Sequence, residues 1–130
     1  MPRLPEEAGN LTRLEVLELR DSAIEELPSS ISRLVNLKEL KLERNLKLRY
    51  LPEKIGNLSK SKVLDLSCSG IDSLPRSIGR LANLKEFKLH CTCELCCLSE
   101  EVGNLFKLEV LNISCLGIDS LPRLIGRLAN

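Results

Sequence analysis

The sequence predicts an α/β solenoid, with a curved parallel β-sheet on the concave face and short helical or irregular return segments on the convex face. A Leu-Pro pair recurs at spacings of 23 and 24 residues, and short stretches alternate between apolar and polar residues, which is a strand signal. Aromatic residues make up only 2% of the chain, so Leu, Ile and Val must form the core. One such repeat cannot bury its apolar side alone, so neighbouring repeats must stack.

The repeats define a higher unit of 47 residues. The segment IDSLPRSIGRLAN at 71–83 recurs as IDSLPRLIGRLAN at 118–130, with Ser77 replaced by Leu124. A recent internal duplication is the simplest cause, and we expect residues 1–130 to form a single repeat domain. The Leu-Pro pairs lie at Leu4-Pro5, Leu27-Pro28, Leu51-Pro52, Leu74-Pro75 and Leu121-Pro122, with Leu98-Ser99 in the fifth place.

Five short parallel strands are predicted from the alternation. We number the positions of each repeat from position one, which holds Leu14, Leu37, Ser61, Leu84 and Leu108. Positions four and six are apolar and should face the core, whereas the intervening residues face the other side. The expected strands are Val16–Glu18, Glu39–Lys41, Val63–Asp65, Glu86–Lys88 and Val110–Asn112.

The LPxxIG segments should return the chain along the convex side. Proline starts a turn, and glycine is expected to let the backbone bend. At the fifth residue of each segment, an apolar side chain should point inward: Ile31, Ile55, Ile78, Val102 and Ile125.

Two positions depart from a uniform repeat. Ser61 at position one is expected to leave a gap in the core. Position nine, where a polar side chain can satisfy the turn backbone, holds Ser22, Asn45, Ser69 and Thr92 but Leu116 in the last repeat. The last turn should therefore be the loosest.

The repeat LxxLxLxxN followed by IxxLPxxIGxL resembles that of leucine-rich repeat proteins, over residues 4–130. Phrases such as AIEELPSSISRLVNLKELKL and LRYLPEKIGNL are most similar to the repeat region of plant intracellular nucleotide-binding leucine-rich repeat disease-resistance proteins. The resemblance implies a non-enzymatic, ligand-sensing protein-recognition module of a plant immune receptor, with roles in defence and signal transduction. A free-standing intracellular scaffold of the Ras-group-related kind is the alternative. No Gly-rich phosphate loop occurs, so we expect no cofactor.

The stretch HCTCELCCLSE at 90–100 is a candidate metal or redox site. It contains the single histidine and four of the six cysteines, and soft ligands of this kind suit tetrahedral zinc. The equivalent stretch one 47-residue unit earlier, ERNLKLRYLPE, contains no cysteine, so the scaffold needs no metal there. We interpret the cysteines as small turn residues and keep a zinc or thiol sensor as a third alternative, with candidate ligands His90, Cys91, Cys93, Cys96 and Cys97.

The exposed strand face is the candidate partner site. A basic row at position two stands beside a low-charge patch at positions seven and eight, which predicts a protein partner. Position five should carry opposite charges on neighbouring strands (Glu18, Lys41, Asp65, Lys88, Asn112), and the charges of the face nearly cancel, so no nucleic acid is expected. The candidate residues are Lys38, Lys62 and Lys85 in the row and Ser67, Cys68, His90, Cys91, Ser114 and Cys115 in the patch.

Other functions and locations are less well matched by the sequence. His90 has no recognisable nucleophile and orienting carboxylate, so we expect no enzyme activity. No apolar run reaches the roughly 20 residues needed to cross a bilayer, and MPRLPEEAGN does not resemble a signal peptide. We therefore expect a cytoplasmic protein with reduced thiols and no membrane partner. The repeats carry no polar caps, so self-association through the uncapped ends is also expected.

Overall fold

A computed structural model describes residues 4–92, 95 and 100–113 of the chain. Its five strands form one parallel sheet in chain order. Their bounds confirm the expected ones: β1 is Val16–Glu18, β2 is Glu39–Lys41, β3 is Val63–Asp65, β4 is Glu86–Lys88 and β5 is Val110–Asn112.

The sheet register places equivalent repeat positions side by side. Leu17 pairs with Leu40, Leu64 with Phe87, and Phe87 in turn with Leu111. In the three inner strands the middle residue is buried while its two neighbours are partly exposed. This alternation leaves one face of the sheet on the core and the other free for contacts.

Each return segment within the described residues contains a short 3₁₀ helix, in agreement with the short helical or irregular segments expected. Proline precedes three of these helices in an extended conformation, which suits its fixed φ and missing donor. The described inward apolar residues are fully buried, as predicted: Ile31, Ile55, Ile78 and Val102. The five helices are Glu6–Asn10, Ser29–Arg33, Ile55–Asn57, Arg76–Arg80 and Glu100–Asn104.

The core between strands and helices is aliphatic, with Phe87 as its largest buried side chain. Leu40 and Leu42 of the second repeat are at most 1% exposed, whereas Leu17 and Leu19 of the first repeat are only partly buried. The outer side of the first described repeat is therefore less covered than the interior repeats.

The described glycines of the return segments do not supply the backbone bend expected from the sequence. In the described residues no glycine has a positive φ, so none supplies a special bend. A Cβ on Gly9 would instead lie 2.5 Å from the Ser30 carbonyl oxygen, and one on Gly56 would meet the Ser77 carbonyl oxygen at still closer range. Glycine is needed because neighbouring coils approach each other closely.

Ser61 does not leave the bare gap expected at position one. The residue is 3% exposed, and its hydroxyl donates to the Leu37 carbonyl at 3.2 Å. A hydrogen bond therefore replaces part of the apolar contact that leucine would make.

Position nine satisfies the turn backbone, as predicted. The fully buried Asn45 side chain accepts from the amides of Ser22 and Ile24 at 3.1 and 3.2 Å and donates to the carbonyls of Leu19 and Leu42 at 2.7 and 2.9 Å. In the next two repeats, shorter hydroxyl side chains reach only their own coil: Ser69 bonds Leu66, and Thr92 bonds Leu89. Leu116 lies outside the described residues.

Candidate functional site

The backbone ladder brings the predicted lysine row together on the exposed sheet face. The Lys62 amide donates to the Lys38 carbonyl at 2.7 Å, and the Lys85 amide donates to the Lys62 carbonyl at 2.8 Å. All three residues are exposed. The same ladder continues to Glu15 at one end and Glu109 at the other, so the row is basic in the middle and acidic at its ends.

The three lysines differ in their ion pairs. The Lys38 ammonium lies 3.3 Å from the Glu15 carboxylate, with both side chains about half exposed. Among the described residues, Lys62 and Lys85 form no ion pair. The charges of these two side chains are therefore available to a partner.

Position five has the predicted register, but its lysines have different ion-pair partners from those expected. Lys41 pairs with Glu39 of its own strand at 3.2 Å, and Lys88 pairs with Glu86 of its own strand at 3.5 Å. The hydrogen bond and charge of Glu39, followed by the charges of Glu18 and Glu43, raise the pKa of Lys41 above its ordinary value. In each of these strands, the glutamate two residues before the lysine projects from the same face of the sheet. It therefore competes with the carboxylate on the neighbouring strand for the lysine.

Two described members of the low-charge patch, Cys68 and His90, are neighbours in the backbone ladder. The Cys68 amide donates to the His90 carbonyl at 2.7 Å, and the Arg44 amide donates to the Ser67 carbonyl at 2.9 Å. His90 is exposed, while Ser67 and Cys68 are partly buried. Cys91 is also partly buried. Ser114 and Cys115, the remaining predicted members, lie outside the described residues.

Position eight shows a backbone feature that the sequence did not reveal. Asp21, Arg44, Cys68 and Cys91 all have φ between 52° and 65°, which is the left-handed region that favours Gly and Asn. Arginine and cysteine carry no compositional signal for this conformation. The turn after each of the first four strands therefore holds its position-eight side chain in a repeated, slightly strained orientation.

The cysteine cluster is only partly described. Cys93, Cys96 and Cys97, three of the five candidate zinc ligands, lie outside the described residues. Within residues 4–92, 95 and 100–113, no group of three or more His, Cys, Asp or Glu residues is placed to hold a metal. In the same part of the chain, neither Cys68 nor Cys91 is in a disulfide.

A second set of cations, which the sequence analysis missed, precedes the strands at position zero. Arg13, Lys60 and Lys107 occupy this position in alternate repeats, with asparagine between them. The Lys60 ammonium donates to the Asn36 side-chain oxygen at 2.9 Å, and the Lys107 ammonium donates to Asn83 at 2.8 Å. Aligning position zero across the repeats would have found the cations, although not the hydrogen bonds.

These cations adjoin the lysine row. A surface cavity of about 290 Å³ is lined by Arg13, Glu15, Asn36, Lys38 and Lys60. In the first three repeats, residues of positions zero and two thus share one surface at the amino ends of the strands.

The helices of the described residues are at most five residues long. None of them is long and apolar enough to cross a membrane.

Comparison with known proteins shows the class of fold. No protein-family profile and no curated protein matches the sequence, but solved structures match nearly its whole length. A leucine-rich repeat protein of Leptospira interrogans is 32% identical, with a TM-score of 0.87 over 98% of this chain and 32% of that protein. The plant peptide hormone receptor RGFR1, solved in complex with RGF2, is 36% identical, with a TM-score of 0.82 over 96% of this chain and 21% of the receptor.

A third structure, the LRIM1/APL1C complex, is 23% identical with a TM-score of 0.85, over 93% of this chain and 23% of the matched chain. The chain thus spans about a third of the bacterial protein and about a fifth of the plant receptor. Together with the five-stranded parallel sheet, these similarities show a leucine-rich repeat solenoid. They support no narrower group, because the neighbours include both bacterial and plant proteins.

Proposed function

We propose that this leucine-rich repeat solenoid is a non-enzymatic protein-recognition module that contacts its partner through the exposed, concave face of the sheet. The observation that carries the proposal is the row of Lys38, Lys62 and Lys85, whose exposed side chains stand in register beside the low-charge patch. Solvent-facing side chains on a repeat scaffold can vary without disturbing the core, so they are suited to recognition. Among the similar solved structures, that of the plant peptide hormone receptor RGFR1 is a complex with RGF2.

The finer proposal is that the module is a ligand-sensing or regulatory segment of a cytoplasmic plant immune receptor. The IxxLPxxIGxL pattern and the alternating repeat length support it through their resemblance to intracellular disease-resistance proteins. A free-standing scaffold of the Ras-group-related kind is the alternative. Sequencing the complete transcript separates the two, because an upstream nucleotide-binding domain favours the receptor and a stop codon directly after Asn130 favours the scaffold.

The test of the recognition face is site-specific photocrosslinking in the native cell. A photoreactive amino acid replaces Lys62 on the sheet or Arg76 on the return side, both of which are exposed. We expect a discrete crosslinked protein from position 62 and none from position 76. Crosslinking of one protein from position 76 alone would contradict the proposed face.

A thiol sensor is the second candidate, and one observation favours it. Cys68 and Cys91 follow adjacent strands at the same repeat position, and parallel strands about 4.8 Å apart lie within the Cα range of a disulfide. Hydrogen peroxide would accept two electrons and two protons from the thiols, giving a disulfide and two waters. If peptide mapping finds no Cys68–Cys91 disulfide after peroxide treatment, the thiol sensor is ruled out. If the reduced protein binds less than about one equivalent of zinc, a zinc sensor is ruled out.

A further inference from the structure

Charge is distributed unevenly between the two edges of the sheet. We define the basic strip as the cations at positions zero and two. At the opposite edge, where the strands end, two of the cations are paired with carboxylates: Arg20 lies 2.9 Å from Glu43, and Arg49 lies 3.5 Å from Asp72. The whole chain carries a net charge of only +1, so the excess of positive charge is local. The basic strip comprises Arg13, Lys38, Lys60, Lys62, Lys85 and Lys107.

Carboxylates offset only the ends of this strip. Glu15 pairs with Lys38 at one end, and Glu109 follows Lys85 in the backbone ladder at the other. The middle three repeats carry Lys38, Lys60, Lys62 and Lys85 and no carboxylate at position zero or two, so the strip has a positive centre.

Two asparagines orient position-zero cations without neutralising them. The Asn36 side-chain nitrogen donates to the Thr12 carbonyl at 2.8 Å, which leaves its oxygen directed at the Lys60 ammonium. Asn83 repeats this arrangement, donating to the Ser59 carbonyl at 2.9 Å while accepting from Lys107. A glutamate in either place would form an ion pair and cancel the charge, whereas a neutral amide fixes the side chain and preserves it.

The spacing of the position-zero cations limits the shape of an acidic ligand. Arg13, Lys60 and Lys107 lie two strands apart in sequence, which corresponds to roughly 9.6 Å at the usual strand spacing. A polyproline II helix has three residues per turn and rises about 9.3 Å per turn, so every third side chain lies on one face at nearly this distance. Acidic residues at every third position of such a segment could therefore meet successive cations.

We propose that the basic strip binds an acidic, extended segment of the protein partner, which crosses the strands in a polyproline II conformation with a carboxylate at every third residue. The inference rests on the proposed function, since it specifies the chemistry of a partner that the sheet is proposed to recognise. It adds position zero to the recognition surface and places the segment at the amino ends of the strands.

The test uses a fluorescein-labelled peptide of four Glu-Pro-Pro units and the full chain, with binding followed by fluorescence anisotropy. We expect saturable binding that weakens as salt increases, and no binding of the matched Gln-Pro-Pro peptide. The double variant that carries both Lys60→Glu and Lys107→Glu should bind the Glu-Pro-Pro peptide on the order of tenfold more weakly than the wild type at about 50 mM salt. This difference in affinity should shrink at about 500 mM salt. The control pair, Arg44→Glu with Lys47→Glu at the opposite edge, makes the same change in net charge and should alter binding less than about twofold.

A further pair, Asn36→Ala with Asn83→Ala, keeps all the charges but removes the groups that orient them. This double variant should bind the Glu-Pro-Pro peptide about threefold more weakly than the wild type. Melting curves of every variant verify that it is folded. Equal binding of the Gln-Pro-Pro peptide, an equal loss in the opposite-edge control, or tighter binding of a 12-nucleotide single-stranded DNA would each overturn the proposal.

The cellular partner, once crosslinked, distinguishes this inference from the proposed function. If binding of the partner requires Lys62 and Lys85 but not Lys60 and Lys107, the inference fails and the proposed recognition face stands. If none of the four lysines matters, both fail.

Discussion

The buried Asn45 side chain bonds the carbonyl of Leu19 in the preceding coil, with its amide nitrogen 2.7 Å from the carbonyl oxygen. The same side chain also serves Leu42, Ser22 and Ile24. One residue thus satisfies backbone groups in two coils, and the junction of the first two repeats depends on it.

Replacing Asn45→Ala should lower the free energy of unfolding by roughly 2–4 kcal/mol, because buried amides and carbonyls would lose their partners. Denaturant unfolding measures the change. Ser69→Ala at the equivalent position is the control and should cost about 1 kcal/mol or less, because the Leu66 carbonyl also accepts from the Ser69 amide. Equal losses in the two variants would show that Asn45 does not hold the coils together.

Gly56→Ala tests the close approach of neighbouring return segments. The added Cβ would meet the Ser77 carbonyl oxygen, so one coil must move, at an expected cost of roughly 1–3 kcal/mol. Ser32 occupies the same place in the second repeat and already carries a Cβ, and Ser32→Ala should alter stability by no more than about 0.5 kcal/mol. Thermal unfolding of both variants gives the comparison, and an unchanged melting temperature for Gly56→Ala would refute the packing explanation.

Lys41 should titrate above an ordinary lysine because Glu39 stabilises its charged form. Glu39→Gln should move the pKa of Lys41 back toward 10.5, as measured by NMR titration of the side chain. Since the folded pKa is the raised one, any stability gained from this charge is present at neutral pH and is lost as pH rises through the folded pKa. No movement of the Lys41 pKa in the variant would remove Glu39 as the cause.

Self-association through the first repeat is a further expectation. Leu11 is 55% exposed, whereas the equivalent Leu34 and Leu58 are at most 1% exposed. Burying such apolar surface favours association, so the isolated chain should sediment faster as its concentration rises, and Leu11→Lys should reduce this effect. Sedimentation velocity distinguishes the outcomes, and a wild-type chain that stays monomeric at every concentration would contradict the expectation.

The strand bounds and the neighbours on the sheet face were predictable because a repeat constrains them. Alternation identifies the core-facing residues, and stacking then places equal repeat positions side by side. The lysine row of Lys38, Lys62 and Lys85 follows from these two facts alone.

Other features depend on distances that the sequence does not contain. The pairing of Lys41 with Glu39 results from competition between two nearby glutamate positions. The hydrogen bond between Lys60 and Asn36 joins residues 24 apart and requires knowledge of how side chains lie across coils. The tight contact at Gly56 reflects coil spacing, which composition alone does not reveal.

The central claim is that the exposed sheet face recognises a protein, and the binding kinetics of the crosslinked partner test it most directly. Two double variants are compared. The sheet pair carries Lys62→Glu and Lys85→Glu, and the return-side pair carries Lys54→Glu and Arg76→Glu; all four positions are exposed. We predict that the sheet pair slows association in a salt-dependent way, with thermal stability nearly unchanged, and that the return-side pair leaves binding intact. Loss of binding in the return-side pair with normal binding in the sheet pair would contradict the account.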